Sequence, residues 1–284
     1  MPKATVEVTD DPRTALDRAE CYLGRRPVEN NVLLSLLHDR VARCTPGRYW
    51  TVARAGEVVG FALQSPLEYS GVLSSMDREA AGALAAAMAV DPSVHLPGIM
   101  AEAATAADFA GWWSERSGGR AVPDEGQRIY RLGVLRPVTG VPGRLRRAAT
   151  EDSNLLVGWR HGFIADTGHG LDPVASVQRD LEDGRLFFWD DDGPCCTARA
   201  SRPVAGVGRV GLVYTPPERR RRGYASACVG AVSAWLREQE QADSMLYTQL
   251  ANPTSNSVYR RLGYGAVAEV LSYTLEPPAR LTAP

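Results

Sequence analysis

The chain has 284 residues, 44% hydrophobic and 23% charged, which excludes a disordered chain and allows two domains, each with its own core. Lys plus Arg (32) and Asp plus Glu (33) nearly cancel, so no global charge draws the chain to nucleic acid or to an acidic membrane. The five cysteines are odd in number, with only Cys195 and Cys196 adjacent, and the four histidines follow no ligand spacing; both exclude a disulfide framework and a zinc site of usual pattern, and no metal is expected.

The first residues, MPKATVEVTDDPR, lack the apolar core of a signal peptide, and the apolar stretch Ala80 to Val90 is too short to span a bilayer. The expectation is a cytoplasmic protein. An acidic turn at Asp10, Asp11 and Pro12 opens a helix to about Leu23, and Pro27 fits the first turn of a second helix carrying Val28, Val32, Leu33, Leu36, Leu37 and Val41. Tyr49–Ala53 and Val58–Leu63 read as strands joined by a turn at Ala55-Gly56-Glu57, with Gly71–Leu73 as a third. Asp77 caps an alanine-rich helix to about Ala89, a further helix covers Ala101–Glu115, and Arg128–Leu135 is a closing strand.

Arg136 to Gly143 holds two prolines and two glycines without periodicity and reads as a linker. The same order of elements then returns. Leu145–Ala149 is a strand, and Glu151 and Asp152 lead into a helix through Ile164. Asp172 and Pro173 start another helix, ended by Gly184. Leu186–Trp189 and Cys195–Ala200 form a hairpin across Asp191-Asp192-Gly193, and Val204–Tyr214 is a long strand. A helix to about Gln239, a strand at Met245–Leu250, a short helix and a strand at Ala266–Leu275 complete the pattern. A mixed sheet with segregated helices is the natural reading, an α+β fold.

The chemistry is concentrated in VYTPPERRRRGYASA, Val213 to Ala227. A strand runs into two prolines, which end ladder pairing because each lacks an N–H. Four arginines, Gly223 and the small Ala225 follow, and an amphipathic helix begins. The first turn of that helix presents unpaired N–H groups and the positive end of its dipole, an arrangement that suits a pyrophosphate. Gly223 lets the backbone approach phosphate oxygens. Taken alone, a run such as Arg219–Arg222 is more often a solvated surface, a partner contact or a nucleic-acid patch than a cofactor loop; its place between a strand stop and a helix start favours the anion site.

The segment Arg220-Arg221-Arg222-Gly223-Tyr224-Ala225 resembles the acetyl-CoA motif Q/R-x-x-G-x-G/A of the GNAT acyltransferases. Downstream, MLYTQLANPTSNSVYRRLGY, Met245 to Tyr264, is similar to the second GNAT signature, in the right order and at the right separation. The resemblance implies two GNAT-like domains, each a central mixed, mostly antiparallel sheet flanked by helices. They would comprise residues 1–136, a degenerate domain without coenzyme, and 144–284, an N-acetyltransferase domain, with 137–143 between them. It further implies that main-chain groups of Val213, Tyr214 and Thr215 pair with pantetheine. The N–H groups of Arg221, Arg222, Gly223, Tyr224, Ala225 and Ser226 would hold the pyrophosphate, with Arg220 as the first turn of the loop. Asn252 and Asn256 would contact pantetheine or adjust the strand splay, and Tyr259 would act as general acid for the thiolate.

The implied reaction is direct transfer of an acetyl group from acetyl-CoA, the cosubstrate, to an amine of a small molecule or protein. The implied partners are these two, with neither nucleic acid nor membrane, and the chain is a monomer or a homodimer. An acid often stands in the family where this chain has Gln249, so the general base is unassigned. Its candidates lie in the segment Trp159-Arg160-His161-Gly162-Phe163-Ile164-Ala165-Asp166, plus His169 and Asp172, and the N–H of Tyr214 is the candidate donor to the thioester carbonyl. The alternative is a catalytically inactive acyl-CoA-binding module.

Overall fold

The computed structural model describes residues 2–136, 138–168, 170 and 172–278. Its elements follow one order twice, strand, two helices, three strands, helix, strand, helix and closing strand, with one additional strand, β6, before the closing strand of the first pass. The first pass consists of β1 (Thr5–Thr9), α1 (Pro12–Gly24), α2 (Asn31–Ala42), β2 (Arg48–Arg54), β3 (Glu57–Gln64), β4 (Gly71–Leu73), α3 (Arg78–Val90), β5 (Gly98–Glu102), α4 (Ala103–Ser117), β6 (Arg120–Pro123) and β7 (Gln127–Leu132). The second consists of β8 (Arg144–Arg147), α5 (Ser153–Thr167), α6 (Pro173–Glu182), β9 (Leu186–Asp190), β10 (Pro194–Ala200), β11 (Val207–Tyr214), α7 (Tyr224–Glu240), β12 (Asp243–Gln249), α8 (Pro253–Leu262) and β13 (Tyr264–Glu276). This is the mixed, mostly antiparallel α+β architecture expected.

Local chemistry explains most boundaries. Asp11 caps α1, its carboxylate accepting from the N–H groups of Arg13 and Thr14 at 3.2 and 2.9 Å. Asp172 caps α6 by accepting from Ala175 N at 2.7 Å, with Pro173 at the first helical position. Ala55 and Gly56 both have positive φ, the conformation a two-residue hairpin turn requires.

Other boundaries differ from the sequence reading. Pro27 lies in a turn, and α2 begins only at Asn31. The helix predicted from Ala101 begins at Ala103, because Gly98–Glu102 is a strand, paired with β4 and with Val270–Thr274 of β13. Strands β1 and β6 were not anticipated. Val204 makes a bridge to Val207 across a turn in which Ala205 and Gly206 have positive φ, so β11 starts at Val207.

The chain divides into two compact units. The first takes residues up to Ile129, Gln249–Ala251 and the chain from Val267 on; the second takes Tyr130–Thr248 and Asn252–Ala266. The final strand therefore does not simply close the second half, as its position in the chain suggests. From Val267 onward it contributes pairs to β5 and β6 in the first unit. The first core gathers Trp50, Leu84, Ile99, Phe109 and Leu275; the second gathers Phe187, Cys196, Val210, Cys228, Val232 and Leu246.

Within the second unit the strands run β12-β11-β10-β9-β8, with only β11 and β12 parallel. Side chains alternate between its faces. Phe187, Cys196, Ala198 and Val210 join α7 in one cluster, while Leu186 and Phe188 join Leu156 of α5 and Val177 of α6 in another. Helix α7 thus covers one face, and α5 and α6 cover the other.

Candidate functional site

The site is built where β11 parts from β12. Their parallel register runs from Val207 opposite Asp243 to Arg209 opposite Met245 and ends there. The remainder of β11, Val210–Tyr214, keeps its antiparallel partner β10 but has no ladder partner in β12. On the β10 side Arg199 lies opposite Gly211 and Thr197 opposite Tyr214, so β11 carries one extra residue. The bulge is centred on Leu212, whose φ of 52° is left-handed; such backbone at a non-glycine residue costs on the order of 1–3 kcal/mol. A bulge bends its strand and raises its local twist, and Val213 and Tyr214 follow this one.

Thr215 follows directly after β11. Its Oγ1 is buried and has no partner among the described residues. A buried hydroxyl without a partner is costly, and it marks a place that a polar ligand group would satisfy.

Pro216 and Pro217 then turn the chain through a short 3-10 turn, with Arg219 N donating to Pro216 O at 2.9 Å. Arg220 does not point outward as a free charge. Its Nε donates to Thr215 O at 2.9 Å, its Nη2 donates to Asp166 Oδ2 at 2.6 Å, and its guanidinium lies 5.8 Å from the centre of the Tyr214 ring. It ties the loop to its own strand and to α5. Arg221 (φ 63°) and Gly223 (φ 83°) are both left-handed, and Gly223 is the N-cap of α7 without any side-chain cap. Left-handed residues before an uncapped helix start turn main-chain N–H groups toward one side, where the dipole of α7 favours an anion.

Tyr224 opens α7 with its side chain buried, and its hydroxyl donates to Asp191 Oδ2 at 2.6 Å. That carboxylate raises the phenol pKa above its ordinary value. Asp191 sits in the β9–β10 turn, so this bond fixes the first residue of α7 to the hairpin. Nothing local in the sequence joins residues 191 and 224; the only hint was an acidic turn and a tyrosine on the motif.

Helix α8 stands beside β12. Asn252 caps it by accepting from Ser255 N at 2.9 Å; Asn256, 4% exposed, donates to Asn252 O at 2.7 Å and accepts from the Tyr130 hydroxyl at 2.8 Å. The described partners of both asparagines hold α8 in place. Tyr259 is 8% exposed, its ring 6.3 Å from Tyr130 and 6.1 Å from Tyr264. Burial, then the neighbouring Tyr264 and Cys196, push its pKa well above the usual phenol value, so it is a protonated donor throughout the neutral range.

The candidate bases are less free than their spacing suggests. Asp166 is ion-paired with Arg220 and Asp172 caps α6; His169 lies outside the described residues. At the end of β12, Gln249 donates to Glu125 Oε2 at 2.9 Å.

Residues 196–271, which span the splayed strands, the arginine loop, α7 and α8, match the family model described as FR47-like protein. Solved structures match over almost the whole chain. A GNAT-family acetyltransferase from Colwellia psychrerythraea is 12% identical, with 96% of this chain and 100% of that one covered at a TM-score of 0.63. A tandem GNAT protein from the clavulanic acid biosynthesis pathway is 11% identical, with 96% and 98% covered at 0.60. The fold is that of the GNAT superfamily. A GCN5-related N-acetyltransferase from Sphaerobacter thermophilus, 12% identical with 96% of both chains covered and a TM-score of 0.59, belongs to the same GNAT set. A search of the curated proteins returns no match. Among the described residues no helix is long and apolar enough to cross a membrane.

Proposed function

We propose that the second unit binds acetyl-CoA and carries out acetyl transfer to an amine. The observation that carries this reading is the uncapped start of α7, reached through left-handed Arg221 and Gly223, directly after a strand that has parted from its parallel neighbour. The coenzyme would supply an activated thioester. The residues present fit it: N–H groups from Arg221 to Ser226 would hold a diphosphate, Val213, Tyr214 and Thr215 would offer main-chain partners to an amide-bearing arm, and the buried Thr215 hydroxyl, without a partner among the described residues, adjoins them in the chain.

The chain's own groups then have separable tasks. The main-chain N–H of Tyr214 is the donor that would stabilise negative charge on a carbonyl oxygen. Tyr259 holds a proton at its phenol oxygen for a leaving thiolate. Asn252 and Asn256 act by anchoring α8, which carries Tyr259. Arg220 keeps the loop in shape through Thr215 and Asp166. The second reading, a coenzyme-binding module without chemistry, is favoured by the structural employment of Asp166 and Asp172.

In the first unit the comparable helix start is already satisfied. Asp77 caps α3 by accepting from Ala80 N at 2.9 Å and pairs with both terminal nitrogens of Arg54 at 2.7 and 3.0 Å. A carboxylate of the chain itself stands where a phosphate would be needed, which supports a first unit without coenzyme.

Calorimetry with coenzyme A and acetyl-CoA tests the binding; binding without turnover on any amine selects the module. Replacing Gly223 by Glu puts a carboxylate at the anion site and a side chain on left-handed backbone within 2.8 Å of Val141 Cγ2. Acetyl-CoA affinity is expected to be abolished, and normal affinity in that variant would refute the assignment.

A further inference from the structure

The sheet of the first unit ends in an open edge. Strand β1 pairs with β2 on one side, and among the described residues no strand pairs with its other side. Such an edge is a template for another strand unless charge or proline blunts it. The edge strand of the second unit, β8, is blunted by its sequence Arg-Leu-Arg-Arg, whereas β1 reads Thr-Val-Glu-Val-Thr. Side chains alternate along β1. Ala4 and Val6 join the first core, while Lys3, Thr5 and Glu7 share the other face and are exposed. Glu7 meets Arg18 of α1 at 3.1 Å, and Lys3 is the only lysine of the chain. Val8, in line with Val6, is 56% exposed.

Helix α3 packs over the same edge, against β1 and β2. From Ala80 to Val90 it carries no polar side chain on any side. A helix apolar all round is normally covered all round, yet Val90 is 74% exposed and Ala83, Ala86 and Ala87 are only half-buried.

We propose that β1 is a dimer interface, pairing antiparallel with the β1 strand of a second copy of this chain about a two-fold axis through Thr5. In that register Lys3 lies opposite the partner's Glu7, and Glu7 opposite the partner's Lys3. Ala4 and Val6 exchange in the same way and continue the core face. Pro2 falls opposite Val8 at the strand's end, where its missing N–H breaks no interior rung. The charges choose the register. An axis through Glu7, which the palindrome Thr-Val-Glu-Val-Thr also permits, would set two carboxylates opposite each other, and like charges across strands destabilise. The axis through Thr5 gives two attractive pairs instead, because the contact is isologous. The occupant is a second copy because this edge complements itself. Each copy brings its α3 to the same face of the continued sheet, and Val8 gains cover from Pro2. The inference is independent of the coenzyme reading.

Sedimentation equilibrium of the full chain at micromolar concentrations should give twice the chain mass of 30.7 kDa. Lys3→Glu and Glu7→Lys each set like charges opposite each other, and each should weaken the dimer by about tenfold or more. Mixed together, the two variants are complementary, since both charged positions of one meet their opposites in the other. The mixture should therefore recover the wild-type mass, a rescue that a folding defect in either variant cannot produce. Carbodiimide should couple Lys3 to Glu7 as a covalent dimer, mapped by mass spectrometry. Lys3→Arg keeps the charge without the primary amine, so it should abolish that cross-link and leave the mass in solution unchanged. The proposal is overturned by a mass of 30.7 kDa throughout, by a dimer that neither reversal weakens, or by a mixture that fails to recover.

Discussion

Two tyrosines near the motifs do different work, and their surroundings say which. Tyr259 is enclosed by aromatic rings, and burial holds its phenol pKa above the usual value near 10. A raised pKa favours the protonated form in the folded state. Its stabilising contribution is therefore complete below the unfolded pKa and disappears only as pH rises through the folded one. If the hydroxyl donates to a leaving thiolate, Tyr259→Phe should lower kcat by about 10²-fold or more with little change in KM for acetyl-CoA. In the wild type no loss of kcat from this group should appear below about pH 10. Steady-state kinetics across pH with both proteins decides it, and unchanged turnover in the variant would reduce Tyr259 to a packed aromatic. Tyr224 instead spends its hydroxyl on Asp191. Asp191→Ala should raise KM for acetyl-CoA severalfold and leave kcat near wild type, because the carboxylate positions the start of α7 without touching reacting atoms. Equal losses in both parameters would contradict that role.

At the scale of elements, the helices and their caps were legible from the sequence because their causes are local. Asp11, Asp77, Asp172 and Asn252 each sit one residue before a helix and each accepts from its first turn. Strand β5 was not legible: Gly98–Glu102 runs into an alanine-rich stretch that favours helix, and only pairing with Gly71–Val72 and Val270–Thr274, far away in sequence, makes it extended. The bulge at Leu212 was hidden for the same reason, since register is a property of two strands. The cap of α3 gives a measurable consequence. Arg54 beside Asp77, with the Ala80 N–H, holds that carboxyl down at about 2 against 3.8 when unfolded. A depressed folded pKa contributes stability that is present above the unfolded value and lost as pH falls through about 2. Asp77→Asn keeps a capping side chain but removes the charge. Urea melts at pH 5 should show the variant less stable than wild type, and the difference should shrink toward pH 2; a difference independent of pH would assign the effect to capping alone.

For the whole molecule, the repeated order of elements gives two similar frameworks, and the decisive contrast between them is chemical. In one, the helix after the fourth strand of the repeat begins at a left-handed glycine with no side-chain cap; in the other it begins at an aspartate that satisfies its own first turn and an arginine besides. The residues ahead of the two helices differ accordingly, an arginine–glycine loop in one and Ser74-Ser75-Met76-Asp77 in the other. The surrounding first-unit geometry adds to it: Thr105 Oγ1 bridges Met76 N and Met76 O at 3.0 Å each, and the Tyr22 hydroxyl donates to Ser75 O at 2.6 Å. That turn is occupied by the chain's own polar groups, with Ser74 N donating to Phe61 O and Met76 N to Thr105 Oγ1. Titration of the purified chain with acetyl-CoA should therefore fit a single site per polypeptide. Gly223→Glu should remove that site entirely rather than expose a weaker second one. Removing the Asp77 carboxylate should not raise the stoichiometry, because Thr105 and Tyr22 still occupy the turn. A fitted value of two per chain, or residual coenzyme binding in Gly223→Glu that Asp77→Asn alters, would place a second coenzyme site in the first unit.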